Sequence, residues 1–277
     1  MSAQNTNSDA GFAVAERVAR RFAPLPQVEA VALAGSRTSQ FLDKSSDVDL
    51  YVYVTDDVSL DVRAEIAAGA LRAEIGNATW ESGDEWIDAE TGVALDVMYR
   101  HVQWIEEQLD RVLLRHEASV GYSTCFWYNV LHSQPLFDRT EWFAELQRRA
   151  ARPYPGDLKR AIIAKNYPLL RSKQSSYLHQ IDLAVKRNDP VSVNHRVAAL
   201  LASYFDVLFA VNELPHPGEK RLLQHAGRCA RLPAAAERQV RAVIAAIGDG
   251  DVVKRINELI DRLEDLLGRL ETLPSEQ

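Results

Sequence analysis

Cysteine is nearly absent. Only Cys125 and Cys229 occur in 277 residues, far apart and without metal-ligand spacing. That excludes a disulfide framework and a cysteine-held zinc site, and predicts a reduced, cytoplasmic protein. Histidine is sparse as well: the seven histidines are scattered and none forms a His-x-x-x-His pair. No apolar run approaches the roughly 18 residues of a membrane span, so no membrane association is expected. Residues 1–9 are polar and lack the charged-then-apolar order of a secretory leader. There is no internal repeat and no low-complexity tract. Cations are outnumbered, 32 Lys and Arg against 39 Asp and Glu, for a formal net charge of -7. Broad binding to nucleic acid is therefore not expected, because such affinity rests on cations facing phosphates. A cationic small molecule suits the summed field better.

What is present is core-forming material, 47% hydrophobic residues with 26% charged ones, a globular composition. The most informative segment is Ser46-Asp47-Val48-Asp49-Leu50-Tyr51-Val52-Tyr53-Val54. Strand side chains alternate with a period of two. Val48, Leu50, Val52 and Val54 therefore form an apolar face, and Asp47, Asp49, Tyr51 and Tyr53 the opposite one. Two carboxylates roughly 6–7 Å apart along a strand repel unless a cation lies between them. A divalent metal is the natural candidate, since hard cations prefer carboxylate oxygens.

Upstream, Val28 to Ala34 is a short apolar run ending in Gly35-Ser36-Arg37. It reads as a buried strand followed by a tight turn. Backbone amides, a hydroxyl and a guanidinium close together suit a phosphate. Downstream, residues 91–99 read as another strand, with Val93, Leu95, Val97 and Tyr99 on one face. Asp96 lies on the other with Ala94 and Met98. Three carboxylates on neighbouring strands suit two Mg²⁺ ions about 4 Å apart.

Gly35-Ser36, Asp47-x-Asp49 and Asp96 together resemble the pattern of the polymerase-β-like nucleotidyltransferase superfamily, over roughly residues 25–140. The similarity extends to small bacterial enzymes with a helical C-terminal domain, including aminoglycoside and lincosamide nucleotidyltransferases. Ser175 to Gln180 and Asn194 to Leu200 are similar to the DUF4037 type of C-terminal domain. One departure is that residues 38–46 lack the glycine many members carry between the two motifs.

The resemblance implies an α/β (α+β) catalytic domain with a mixed sheet, over residues 1–151, then an all-α helical bundle over 152–277. It implies two Mg²⁺ ions and transfer of a nucleoside monophosphate, AMP from ATP or its counterpart from another NTP. The acceptor is a hydroxyl, on a small molecule in the first reading. Asp47 and Asp49 would hold both metals and Asp96 the acceptor-side one. Gly35, Ser36, Arg37 and Lys165 would contact the phosphates. Asp96 or a nearby Glu is the candidate base, and Glu81 or Glu85 of the acidic 79–90 segment is placed to reach the acceptor. A protein or RNA acceptor, or a nucleotide-binding module without catalysis, remains as an alternative.

Periodicity predicts helices over 10–23, 59–75, 102–118 and 141–150, and a last strand at 135–138. Residues 79–90 read as irregular and 122–133 as aromatic core. After the breakers Arg152-Pro153-Tyr154-Pro155-Gly156, everything reads helical: 157–187, 191–213, 219–231, 234–247 and 252–273. Pro168 is expected to kink or divide the first of these. Leu214 to Gly218 reads as a turn. The apolar stripe from Ile256 to Leu273 predicts a bundle helix, or second a dimer surface, so a monomer or homodimer is expected.

Overall fold

The computed structural model describes residues 3–35, 47–79 and 81–270. Backbone contacts divide the chain into two compact units: Met1–Asp110 with Asn129–Arg152, and Arg111–Tyr128 with Pro153–Gln277. The first is α+β and the second all-helical. The helical unit takes in residues 111–128, a stretch the sequence reading places with the sheet.

In the first unit the order is α1 (Ala3–Phe22), β1 (Val28–Ala34), β2 (Val48–Val54), α2 (Leu60–Ile66), β3 (Arg72–Asn77), β4 (Gly83–Ile87) and β5 (Ala94–His101). Then follow α3 (Val102–Leu113) and α4 (Cys125–His132), whose residues 111–113 and 125–128 belong to the second unit, β6 (Gln134–Asp138) and α5 (Trp142–Ala150). Among the described residues the six strands form one mixed sheet in the order β3-β4-β5-β2-β1-β6. Only β2 and β5 run parallel; the other neighbours are antiparallel. The predicted apolar faces meet in one core. Val48, Leu50, Val52 and Val54 pack with Val31, Leu33, Leu95 and Val97 against Val14, Val18 and Phe22 of α1.

Two segments differ from expectation. The helix predicted over 59–75 stops at Ile66, and the chain turns through Gly69 at φ +90° to enter β3. This edge strand carries Arg72, Ala73 and Glu74 exposed, so no apolar alternation announced it. Charged residues on an edge also discourage pairing with another chain. The segment 79–90 contains β4, where Trp86 enters the core and Asp84 is fully buried. Asp84 accepts from Arg63 Nε at 2.9 Å, Arg63 Nη2 at 2.6 Å, Tyr99 Oη at 2.7 Å and the Gly76 amide at 2.8 Å. Its charge is thus neutralised by Arg63 and fully hydrogen-bonded, which is what a buried carboxylate requires.

The helical unit comprises α6 (Gly156–Leu170), α7 (Tyr177–Lys186), α8 (Pro190–Val211), α9 (Leu222–Ala226), α10 (Ala236–Ala245) and α11 (Val252–Arg269). Pro168 ends α6 within two residues, and the Ser176 hydroxyl caps α7 by accepting from the His179 amide. The stripe on α11 is buried within the unit from Ile256 to Leu267. Leu273 lies outside the described residues. Segment 111–128 is tied in by buried polar groups. Gly121 N donates to Asn166 Oδ1 at 2.9 Å, and Ser123 donates from its amide and hydroxyl to Asp206 at 3.0 and 2.6 Å. No described helix is long and apolar enough to cross a membrane.

Candidate functional site

The parallel register of β2 and β5 sets Asp49 directly beside Asp96. On its other side Asp49 is paired with Ala34, the last residue of β1. Beyond Asp96 the register reaches Glu85 on β4, and beyond that Glu74 on β3. Residues directly opposite across strands share a face of the sheet. Asp49, Asp96, Glu85 and Glu74 thus form a row of carboxylates, one from each of four adjacent strands. Asp49 and Asp96 are half-buried, while Glu85 and Glu74 are exposed. Asp47, just before β2, is exposed. Strands lie about 4.8 Å apart, so neighbouring members of the row repel unless a cation is shared between them.

Gly35 is shaped around this row. Its φ is +68°, a left-handed conformation that glycine adopts at no steric cost. A Cβ added there would lie 1.7 Å from Asp49 Oδ2. The absence of a side chain at 35 is therefore what lets the Asp49 carboxylate occupy its position.

Further along the same face the strands turn from acidic to aromatic. Tyr51 and Tyr53 are buried, Tyr53 stacking on Phe143 of α5 at 5.1 Å between ring centroids. The face that begins with carboxylates thus ends in a second apolar layer. Arg100, paired in register with Tyr53, places its guanidinium 3.7 Å from the Tyr51 ring centroid. Its Nε and Nη2 donate to Glu81 at 2.9 and 3.0 Å. Glu81 is thereby committed to Arg100. Burial pushes the Tyr51 phenol above its ordinary range; Arg100 opposes that shift and the nearby Asp49 charge reinforces it. Arg100 was not singled out from sequence, since one arginine near a strand end carries no pattern of its own.

No protein-family model matches the chain, and no curated protein matches it. Among solved structures it is similar to a nucleotidyltransferase-like protein from Exiguobacterium sibiricum, at 13% identity and a TM-score of 0.43. The similarity covers 92% of this chain and 74% of that one.

Ser36 and Arg37 lie outside the described residues. Lys165 is exposed on α6 of the helical unit. Its neighbours make contacts within the helical unit. Asn166 is fully buried, donating to Asp206 Oδ2 at 3.1 Å and to the Ser119 carbonyl at 2.9 Å. Tyr167 Oη donates to Glu264 at 2.9 Å, and Arg171 is paired with Asp261 and Glu264. These residues bridge elements within the helical unit.

The donor set agrees in kind with a hard divalent cation: Asp49 and Asp96 offer carboxylate oxygens from neighbouring register positions, and Gly35 leaves space for one of them. Among the described residues, no three His, Cys, Asp or Glu side chains gather closely enough to hold a metal by themselves. A ligand that brings its own oxygens, such as a polyphosphate, completes the coordination such a pair leaves open.

Proposed function

We propose that the sheet-bearing unit transfers a nucleoside monophosphate, AMP from ATP, to a hydroxyl of a small-molecule acceptor. The observation that supports this reading best is the register pairing of Asp49 with Asp96 beside a glycine that only its missing side chain fits there. Asp47, Asp49 and Asp96 are the residues proposed to hold Mg²⁺. When bound, Mg²⁺ supplies charge neutralisation of the triphosphate and lowers the pKa of the attacking hydroxyl.

The chain's own residues do the rest. Gly35, Ser36 and Arg37 orient the β- and γ-phosphates, with Lys165 the proposed additional phosphate cation. Asp96, or Glu85 beside it, accepts the proton of the acceptor hydroxyl. The acceptor oxygen forms its bond to the α-phosphorus, the bond to the bridging oxygen breaks, and pyrophosphate leaves. Glu85 and Glu74 extend the negative row beyond the metal-binding pair, which favours a cationic acceptor such as an amino sugar. The narrower likeness to aminoglycoside and lincosamide enzymes belongs to this proposal. The helical unit is the proposed selector of acceptor.

The test measures pyrophosphate release from ATP with Mg²⁺ across a panel of amino sugars and other polyols. Asp49→Asn and Asp96→Asn are each expected to lower the rate by about 10²–10⁴-fold. They should also remove the Mg²⁺-dependent rise in melting temperature, a readout separate from turnover. Equal rates in wild type and both variants would sink the catalytic reading. ATP binding without turnover would identify a nucleotide-binding module instead.

A further inference from the structure

Two cavities in the helical unit, of about 420 and 400 Å³, are lined by no residue of the carboxylate row. Phe205 of α8, Leu223 of α9 and Val240 of α10 line both, so the chambers abut across these three side chains. Each has the size of a small-ligand pocket, and the pair is predominantly apolar. Two features are not explained by packing within the unit. Tyr204 is fully buried and lines the smaller chamber, and its hydroxyl has no hydrogen-bond partner among the described residues. A buried hydroxyl left unpaired costs free energy that a ligand acceptor would recover. Burial also keeps this phenol protonated, so it is available as a donor. The second feature is charge. Arg238 lines the same chamber as Tyr204, and Glu237, the acid lining that chamber, is already engaged by Arg241 at 2.9 Å.

We propose that the helical unit binds a small amphipathic carboxylic acid, with its apolar body along Phe205, Leu223 and Val240 and an oxygen accepting from Tyr204. Arg238, in the same chamber as Tyr204, compensates the carboxylate. This site is independent of nucleotidyl transfer, and its test needs no nucleotide.

Decanoate is the probe, titrated calorimetrically into the full-length protein alongside thermal melting. One molecule is expected to bind per chain and to raise the melting temperature. Tyr204→Phe removes only the unpaired hydroxyl, so it should fold at least as stably and bind decanoate about tenfold more weakly. Ala236→Trp fills the smaller chamber and should abolish binding; Ala235→Trp serves if that variant does not fold. Decylammonium, the same chain with opposite charge, should bind at least about tenfold more weakly. The proposal is overturned by absence of saturable decanoate binding up to about 1 mM. Wild-type affinity in Tyr204→Phe overturns it equally, as does equal binding of decylammonium.

Discussion

Gly35 is the residue on which most depends. Alanine there would need both a left-handed backbone, costing about 1–2 kcal/mol, and space already taken by the Asp49 carboxylate. On the proposed activity, Gly35→Ala is expected to retain its circular dichroism spectrum and lose about 100-fold in pyrophosphate release, the scale of a catalytic group displaced by an ångström. A rate within a factor of a few of wild type would remove Gly35 from the site. Two buried titratable residues in the helical unit set opposite pH dependences. His216 is fully buried against the rings of Tyr122 and Phe209, and its Nδ1 accepts from the Gly218 amide. Burial, with His225 nearby, holds its pKa down at about 3 against an ordinary 6.5. The unfolded chain therefore binds more protons across that window, and the stability His216 contributes is lost as pH falls from 6.5 towards 3. Burial raises Asp206 to about 6 from 3.8, with Ser123 and Arg111 pulling the other way. Its contribution is complete below 3.8 and is lost as pH rises through 6. Urea midpoints followed over pH 4 to 6, within both windows, should rise less steeply with pH in His216→Phe and more steeply in Asp206→Asn than in wild type. Slopes unchanged in either variant would contradict the assignment for that residue.

At the scale of elements, the Arg63–Asp84 pair joins α2 to β4 on the core side of the sheet. Both residues are buried, so removing one leaves an uncompensated charge. Asp84→Ala is expected to cost about 3–5 kcal/mol in chemical denaturation, and Asp84→Ala/Arg63→Met to recover part of it. A loss below about 1 kcal/mol would mean that the pair is solvated. This pair also explains where sequence reading stopped. The strands β2 and β5 were legible because each sets aliphatic residues in alternation on one face, β1 because it is a short apolar run ending in Gly35, and the mixed sheet followed by helices was legible as a class. The hairpin β3–β4 was not, because its outer strand is polar and its inner one hides an aspartate in the core. Asp49 and Asp96 were legible as candidates by their interruption of apolar patterns. Their adjacency, and the row continuing to Glu85 and Glu74, follows from strand register, which no local pattern encodes. His216 looked like part of a plain turn because its burial depends on α8 and on residues 122–124, distant in sequence. Its amide donates to Thr124 Oγ1 at 2.7 Å.

At the scale of the whole molecule, the chain passes between its two units three times, at 110/111, 128/129 and 152/153. Neither unit is a continuous piece of sequence. A fragment ending at Arg152 would retain 111–128 without its partners, exposing Trp127, which in the complete chain is buried beside Tyr154 at 5.1 Å between ring centroids. That fragment is expected to aggregate or to bind apolar dyes while the full chain does not. A soluble, monomeric 1–152 with a cooperative melt would show the interleaving to be dispensable. The interleaving also has a consequence in time. Ser123 leaves the ribosome 83 residues before Asp206, the carboxylate that receives its amide and hydroxyl. At roughly 5–20 residues per second, the segment waits about 4–17 s for its partner to be synthesised. Once β6 (Gln134–Asp138) has also emerged, the sheet has all its strands while segment 111–128 remains unpacked. A nascent chain built this way is most exposed to misfolding and to chaperone capture between the completion of α5 and the emergence of α8.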